Sequence, residues 1–181
     1  MEENLAATHR SLWSGSRPRT GHREIFLMKN KLLLVDDDPG VRRMLQRVLE
    51  EEGYVVVPAA NGVEGLALAK TTAPDLVLLD LNLPMQNGWE IFERLNAKMP
   101  SLAVIIITAR PNQLFPALAA GVGALMEKPL DLPKLLRTIR ELLDEPLKAR
   151  QARMAGERAE FHYLPPKGRE PANKGEEKHD G

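Results

Sequence analysis

Lys31-Leu32-Leu33-Leu34-Val35-Asp36-Asp37-Asp38-Pro39-Gly40-Val41 is the stretch that decides the fold class. Its continuous apolar run lacks the apolar/polar alternation of a half-solvated strand and reads as a short strand covered on both faces. The run stops on three carboxylates. Asp38-Pro39 then has the form of a helix start, with Asp as N-cap and Pro at the first helical position. From there Val41, Met44, Leu45, Val48 and Leu49 recur at i, i+3, i+4, i+7 and i+8, and Gly53 closes the stripe. Strand, acidic loop and amphipathic helix make one βα unit.

The same alternation continues outward. Apolar runs at 54–57, 75–79, 103–107 and, most weakly, 124–126 predict four further strands. Helical spacing appears at 63–70, at 88–98, in a Pro-bounded 112–120, and in Leu132, Leu135, Leu136, Ile139, Leu142 and Leu143. Five βα units predict an α/β, doubly wound parallel sheet of five strands with five helices on its two faces.

Composition bounds the rest. The 181 residues and 20.2 kDa suit one domain with tails. With no Cys there is neither a disulfide nor a thiolate metal site. The 25 basic and 25 acidic side chains cancel, which removes the electrostatic argument for a nucleic-acid or membrane-surface partner. No apolar run approaches the ~20 residues of a membrane span, and residues 1–31 hold no apolar segment of a secretory signal. A soluble, cytoplasmic protein is expected. Residues 1–28 read as a flexible leader, with Met28 as an alternative start of translation, and 29–146 as the domain. Residues 147–181 read as a charged, largely disordered tail with a helical turn or two before residue 161. On this reading both tails are dispensable for folding and chemistry, and the tail is too short for a DNA-binding output domain.

In an open parallel sheet the ligand site lies beyond the carboxyl ends of the strands. Those ends carry Asp36 and Asp37 (first strand), Asp80 (third), Thr108 (fourth) and Lys128-Pro129 (fifth). Taken singly each is bland: solvated loop carboxylates, a polar strand terminus, a β-branched strand residue, a surface Lys. Together they are not. Carboxylates gathered at one rim repel unless a cation sits among them, and a hard ion such as Mg²⁺ suits oxygen ligands. A Lys ammonium and a Thr hydroxyl facing that ion would receive an incoming dianion. Metal, carboxylate nucleophile, Lys and Thr form a constellation for phosphoryl transfer.

Residues 30–145 resemble the receiver domain of two-component response regulators. The resemblance rests on 33–39 (Leu-Leu-Val-Asp-Asp-Asp-Pro), on 75–84 with Gly88, on Ile105-Ile106-Ile107-Thr108-Ala109 and on Lys128-Pro129. It implies a flavodoxin-like strand order 2-1-3-4-5, for which a chemotaxis receiver is the standard example. It further implies that Asp80 accepts a phosphoryl group from a phosphohistidine on a sensor histidine kinase or histidine phosphotransfer protein. Asp37 and Asp80 would bind Mg²⁺ directly, Asp36 mainly through water and Asn82 through its backbone carbonyl. Lys128 would pair with the phosphoryl oxygens, Thr108 would hydrogen-bond them, and the Lys128-Pro129 bond would be cis. Such a protein catalyses only its own phosphorylation and dephosphorylation, and a downstream protein partner reads the result.

The sequence departs from the family in two places. Leu125 stands where the family has an aromatic switch residue, and Pro111 and Pro116 predict a stubby or displaced fourth helix. Asn82 and Arg110 hold the positions that modulate hydrolysis, with Arg110 expected to shield the phosphoryl group. Two other readings fit parts of the sequence. One is a degenerate receiver that binds a partner without phosphorylation. The other is a haloacid-dehalogenase-like phosphatase, suggested by Asp36-x-Asp38 but opposed by Pro39 directly after it.

Overall fold

Side-chain alternation in each strand explains the sheet. In β1 (Lys31–Val35), Leu33 and Val35 point to one face while Leu32 and Leu34 point to the other, and all four are buried. Both faces of the strand therefore need cover. The computed structural model describes residues 29–157 and 160–168, so the expectations for the leader, for Met28 and for the end of the tail lie outside the described residues. The elements after β1 are α1 (Pro39–Glu51), β2 (Val55–Ala59), α2 (Gly62–Thr72), β3 (Leu76–Asp80), α3 (Gly88–Lys98) and β4 (Ala103–Thr108). They continue with α4 (Leu114–Ala120), β5 (Ala124–Glu127), α5 (Leu132–Asp144), α6 (Leu147–Met154) and β6 (His162–Leu164).

All strands are parallel, in the order β2-β1-β3-β4-β5-β6. The flavodoxin-like core is present as the resemblance implied. One core packs Leu33, Val35, Val77, Leu79, Val104, Ile106 and Leu125 beneath helices α2, α3 and α4. The other packs Leu32, Leu34, Leu76, Leu78, Ile105 and Ile107 against Leu45 and Leu49 of α1 and Leu135, Ile139 and Leu142 of α5. Helix starts follow the predicted chemistry: the Asp38 carboxylate accepts from the N–H groups of Gly40 (2.6 Å) and Val41 (3.0 Å), with Pro39 inside the first turn. α4 spans only seven residues and carries Pro116, as its prolines predicted.

The tail is where the structure departs from the sequence reading. Residues 147–181 read as largely disordered apart from a helical turn or two before residue 161; α6 falls in that helical stretch, whereas the strand at 162–164 is an addition to that reading. β6 pairs with β5 in the register Ala124↔His162, Leu125↔Tyr163, Met126↔Leu164. Two physical causes are visible. Leu164 is 6% exposed and joins the α1/α5 core, while Phe161 packs against the other core. In addition, Arg153, also 6% exposed, makes a two-pronged salt bridge to Glu145 and donates to the carbonyls of Gly121 and Glu160 (each 3.3 Å). Arg150 donates to the carbonyls of Leu142 (2.7 Å) and Ser101. The two arginines thus tie α6 to α5, to the end of α4 and to the loop before β4. Cutting the chain at residue 146 would remove a strand, contrary to the expectation that the tail is dispensable.

Candidate functional site

The five predicted strand-end residues do meet. Asp36 and Asp37 follow β1, Asp80 ends β3, Thr108 ends β4 and Lys128 follows β5. Parallel register brings these ends to one rim, with Val35 opposite Leu79 and Asp80 opposite Ile107. Carboxylate oxygens of Asp36, Asp37 and Asp80 lie within 4.8 Å of one another. Asp36 and Asp80 are buried and Asp37 is exposed, so the cluster opens to solvent on one side.

Lys128 bridges the two buried members: its Nζ lies 2.6 Å from Asp80 Oδ2 and 3.1 Å from Asp36 Oδ2. Each carboxylate also takes one backbone donor, the N–H of Asp38 on Asp36 Oδ1 (2.9 Å) and that of Asn82 on Asp80 Oδ1 (2.8 Å). Burial raises the Asp36 carboxyl above its usual range, and the Lys128 ammonium pulls against that rise. For Lys128 burial alone would lower the pKa, but Asp80 and Asp36 more than offset it and hold the ammonium above its usual value. The Lys is thus charged and aimed at Asp80. The Lys128-Pro129 bond is cis.

Thr108 is fully buried, and its Oγ1 accepts from the Arg110 N–H (2.9 Å). Arg110 turns back over the rim and donates from Nε to Asn82 Oδ1 at 2.7 Å, so the two positions expected to modulate hydrolysis touch each other. Gly88 sets the loop after β3: a Cβ there would lie 2.5 Å from Leu81 Cα and 3.0 Å from the Asp80 carbonyl oxygen, so only Gly lets α3 start this close to Asp80. Leu125 is fully buried, with Tyr163 opposite it on β6. Sequence reasoning missed Arg42, whose Nη1 donates to the Asp36 carbonyl at 2.6 Å, and it missed Tyr163. Arg42 on the first turn of α1, six residues after Asp36, was the only available signal.

The donor set fits a hard divalent ion. Asp36, Asp37 and Asp80 supply carboxylate oxygens, and no sulfur or imidazole stands among them. Close anionic oxygens also call for more positive charge than one ammonium supplies. A cavity of about 630 Å³ lies elsewhere, between α5, α6 and the start of β6. A smaller cleft of about 320 Å³, lined by Val41, Met44, Lys128, Pro129, Leu130 and Leu132, adjoins the rim.

The response regulator receiver domain model matches residues 32–140. The chain belongs to the response regulator receiver family. Sporulation initiation phosphotransferase F of Bacillus subtilis (strain 168) is 36% identical over 125 residues, which cover 68% of this chain and 99% of that protein. Further curated relatives are longer, and the chain spans 26% to 51% of their lengths. Among solved structures, a CheY-like receiver domain protein from Methanospirillum hungatei JF-1 superposes with a TM-score of 0.61 at 34% identity, covering 64% of this chain and 94% of that one. The response regulator TrrA of Thermotoga maritima, solved in complex with Mg(2+)-BeF, gives 0.59 at 28% identity, with 62% and 98% covered. As a receiver domain the chain takes part in phosphorylation-based signalling, and receiver domains interact with histidine kinases or phosphotransfer proteins.

Proposed function

We propose that Asp80 is the phosphoacceptor of this receiver and that Asp36, Asp37, Asp80 and the Asn82 carbonyl hold Mg²⁺ while the transfer occurs. The observation that carries the reading is the Lys128 ammonium at 2.6 Å from Asp80 and 3.1 Å from Asp36, within a group of carboxylates open to solvent on one side. A bound divalent ion would neutralise charge on the carboxylates and on the incoming phosphoryl oxygens. The chain's own residues do the rest. Asp80 is positioned to attack phosphorus; the P–N bond of a phosphohistidine breaks, a P–O bond to Asp80 forms, and the donor leaves as imidazole. Lys128 exchanges a carboxylate partner for a phosphoryl oxygen, and the Thr108 hydroxyl can donate to another after releasing its local geometry. Arg110, fastened to Asn82, covers the rim and slows access of water.

In this reading the chain turns over no separate substrate; it catalyses its own phosphorylation and dephosphorylation, acts in the cytoplasm and engages no nucleic acid. The donor is a sensor histidine kinase or histidine phosphotransfer protein. The apolar cleft of Val41, Met44 and Leu132 beside Lys128 offers that donor a surface to rest on. A downstream protein partner reads the phosphorylated state. The test is phosphorylation by acetyl phosphate with Mg²⁺. Wild-type protein should gain one acid-stable, hydroxylamine-labile phosphate, whereas Asp80→Asn should gain none. Labelling of that variant at the wild-type rate would refute the assignment.

A further inference from the structure

β5 would be an edge strand in a five-stranded sheet, with Lys128 at the end of that edge. β4 holds it on one side only, where the Lys128 N–H donates to the Thr108 carbonyl at 2.8 Å. The C-terminal segment supplies the other side of the strand from Ala124 to Met126 and bonds the residues flanking it. The His162 N–H donates to the Gly123 carbonyl (3.3 Å) before β5 starts, the ladder runs through 124–126, and the Lys167 N–H donates to the Pro129 carbonyl (3.0 Å) after β5 ends. Between these, the Tyr163 hydroxyl meets Glu127 Oε1 at 3.1 Å. The residues on both sides of Lys128 are therefore tied to one short segment. That segment is itself fastened by Leu164 in the core and by the Arg153–Glu145 salt bridge, and Pro165-Pro166 stiffens its approach to Lys167.

We propose that residues 160–168 are a positioning element for Lys128, acting through the Lys167 backbone N–H on Pro129 and the Tyr163 hydroxyl on Glu127. Pro129 has no N–H, so its carbonyl is the one backbone group through which the turn after Lys128 can be held at that residue. The Lys128 ammonium must reach two buried carboxylates at once, and small displacements of a group at a reacting centre are costly. The consequence for phosphorylation rests on the function proposed above; the mechanical claim does not.

The test uses the full-length chain and two substitutions at one position. Lys167→Pro deletes the donor, whereas Lys167→Ala keeps it and removes only the side chain. Two quantities are measured: amide hydrogen exchange at Lys128, with Leu78 in central β3 reporting global stability, and the rate of phosphorylation by acetyl phosphate with Mg²⁺. Lys167→Pro should speed exchange at Lys128 and slow phosphorylation, each by roughly two- to tenfold, as expected for one lost hydrogen bond. Leu78 should be unchanged, and Lys167→Ala should match wild type in both. Tyr163→Phe should move both in the same direction by less. Unchanged Lys128 exchange in Lys167→Pro, equal acceleration at Leu78, or identical behaviour of the Pro and Ala variants would overturn the proposal. If wild-type protein takes no phosphate while Lys128 exchange still responds to Lys167→Pro, the positioning stands and the phosphoacceptor reading falls.

Discussion

Lys128→Met keeps the length and much of the volume of the side chain while deleting the ammonium between Asp36 and Asp80. Both carboxylate side chains are only 2% exposed, so nearly all the compensation must come from within the protein. Breaking a buried ion pair by removing one partner costs about 3–5 kcal/mol. Here Asp36 keeps the Asp38 N–H, Asp80 keeps the Asn82 N–H, and exposed Asp37 opens the site to water. Those features place the loss at the lower end, about 3 kcal/mol at pH 7, or roughly 10 °C in Tm for a domain of this size. The pH dependence has a definite sign. Burial already raises the folded Asp36 pKa above its ordinary value of 3.8, and losing Lys128 raises it further. A carboxyl raised on folding penalises the folded state fully above its folded pKa, and the penalty shrinks as pH falls through that value. The variant's deficit should therefore be larger at pH 7 than near pH 4. Mg²⁺ should stabilise the variant more than wild type, because no ammonium competes for the carboxylates. Thermal melts at both pH values, with EDTA or with Mg²⁺, measure all three effects. A variant that melts with wild type at pH 7, or a deficit that grows on acidification, would refute this account of the site.

Three further outcomes are expected. Arg110→Ala removes the cover fastened to Asn82 and should shorten the lifetime of the phosphorylated protein; an unchanged or longer decay would show that Arg110 does not shield the site. Arg153→Met strands Glu145 with Arg150 as its remaining cation and should cost about 3 kcal/mol, with amides of β6 exchanging before those of β1; a melting temperature equal to wild type would mean that the tail is not anchored there. Asp131 accepts the Lys134 N–H at the start of α5, and that bond holds its carboxyl below the usual range, so the stability it contributes is present at neutral pH and lost as pH falls through the depressed folded value. Asp131→Ala should thus lower Tm at neutral pH with a difference that shrinks in acid, and a difference independent of pH would argue against the cap.

Much of the molecule was legible because its determinants are local or periodic. The apolar run before Asp36, the Asp38-Pro39 helix start and the stripe from Val41 to Leu49 each declare their structure within a few residues, and right-handed βα connections then leave few arrangements. Strand ends in a parallel sheet share one rim, which is why Asp36, Asp37, Asp80, Thr108 and Lys128 could be grouped before any distance was known. Touching partners were less visible: Arg110 on Asn82 and Arg42 on the Asp36 carbonyl depend on rotamers that spacing does not specify.

The C-terminal segment marks the boundary between the two kinds of information. Arg150 and Arg153 in a charged, proline-rich stretch read as solvated, because a lone Arg is almost always exposed unless paired. Their partners, the carbonyls of Ser101, Gly121 and Leu142 and the Glu145 carboxylate, are brought to one place only by the folded βα core. A three-residue strand such as His162–Leu164 likewise has too little period to announce itself. Its pairing is set by the exposed edge of β5 and by the core positions open to Phe161 and Leu164, none of which exists until the other five strands have assembled. The sequence by itself determined the βα core and which side chains meet at its rim. Tertiary structure decided that the tail belongs to the sheet, because burial of a charged group and closure of a strand edge are properties of an assembled surface.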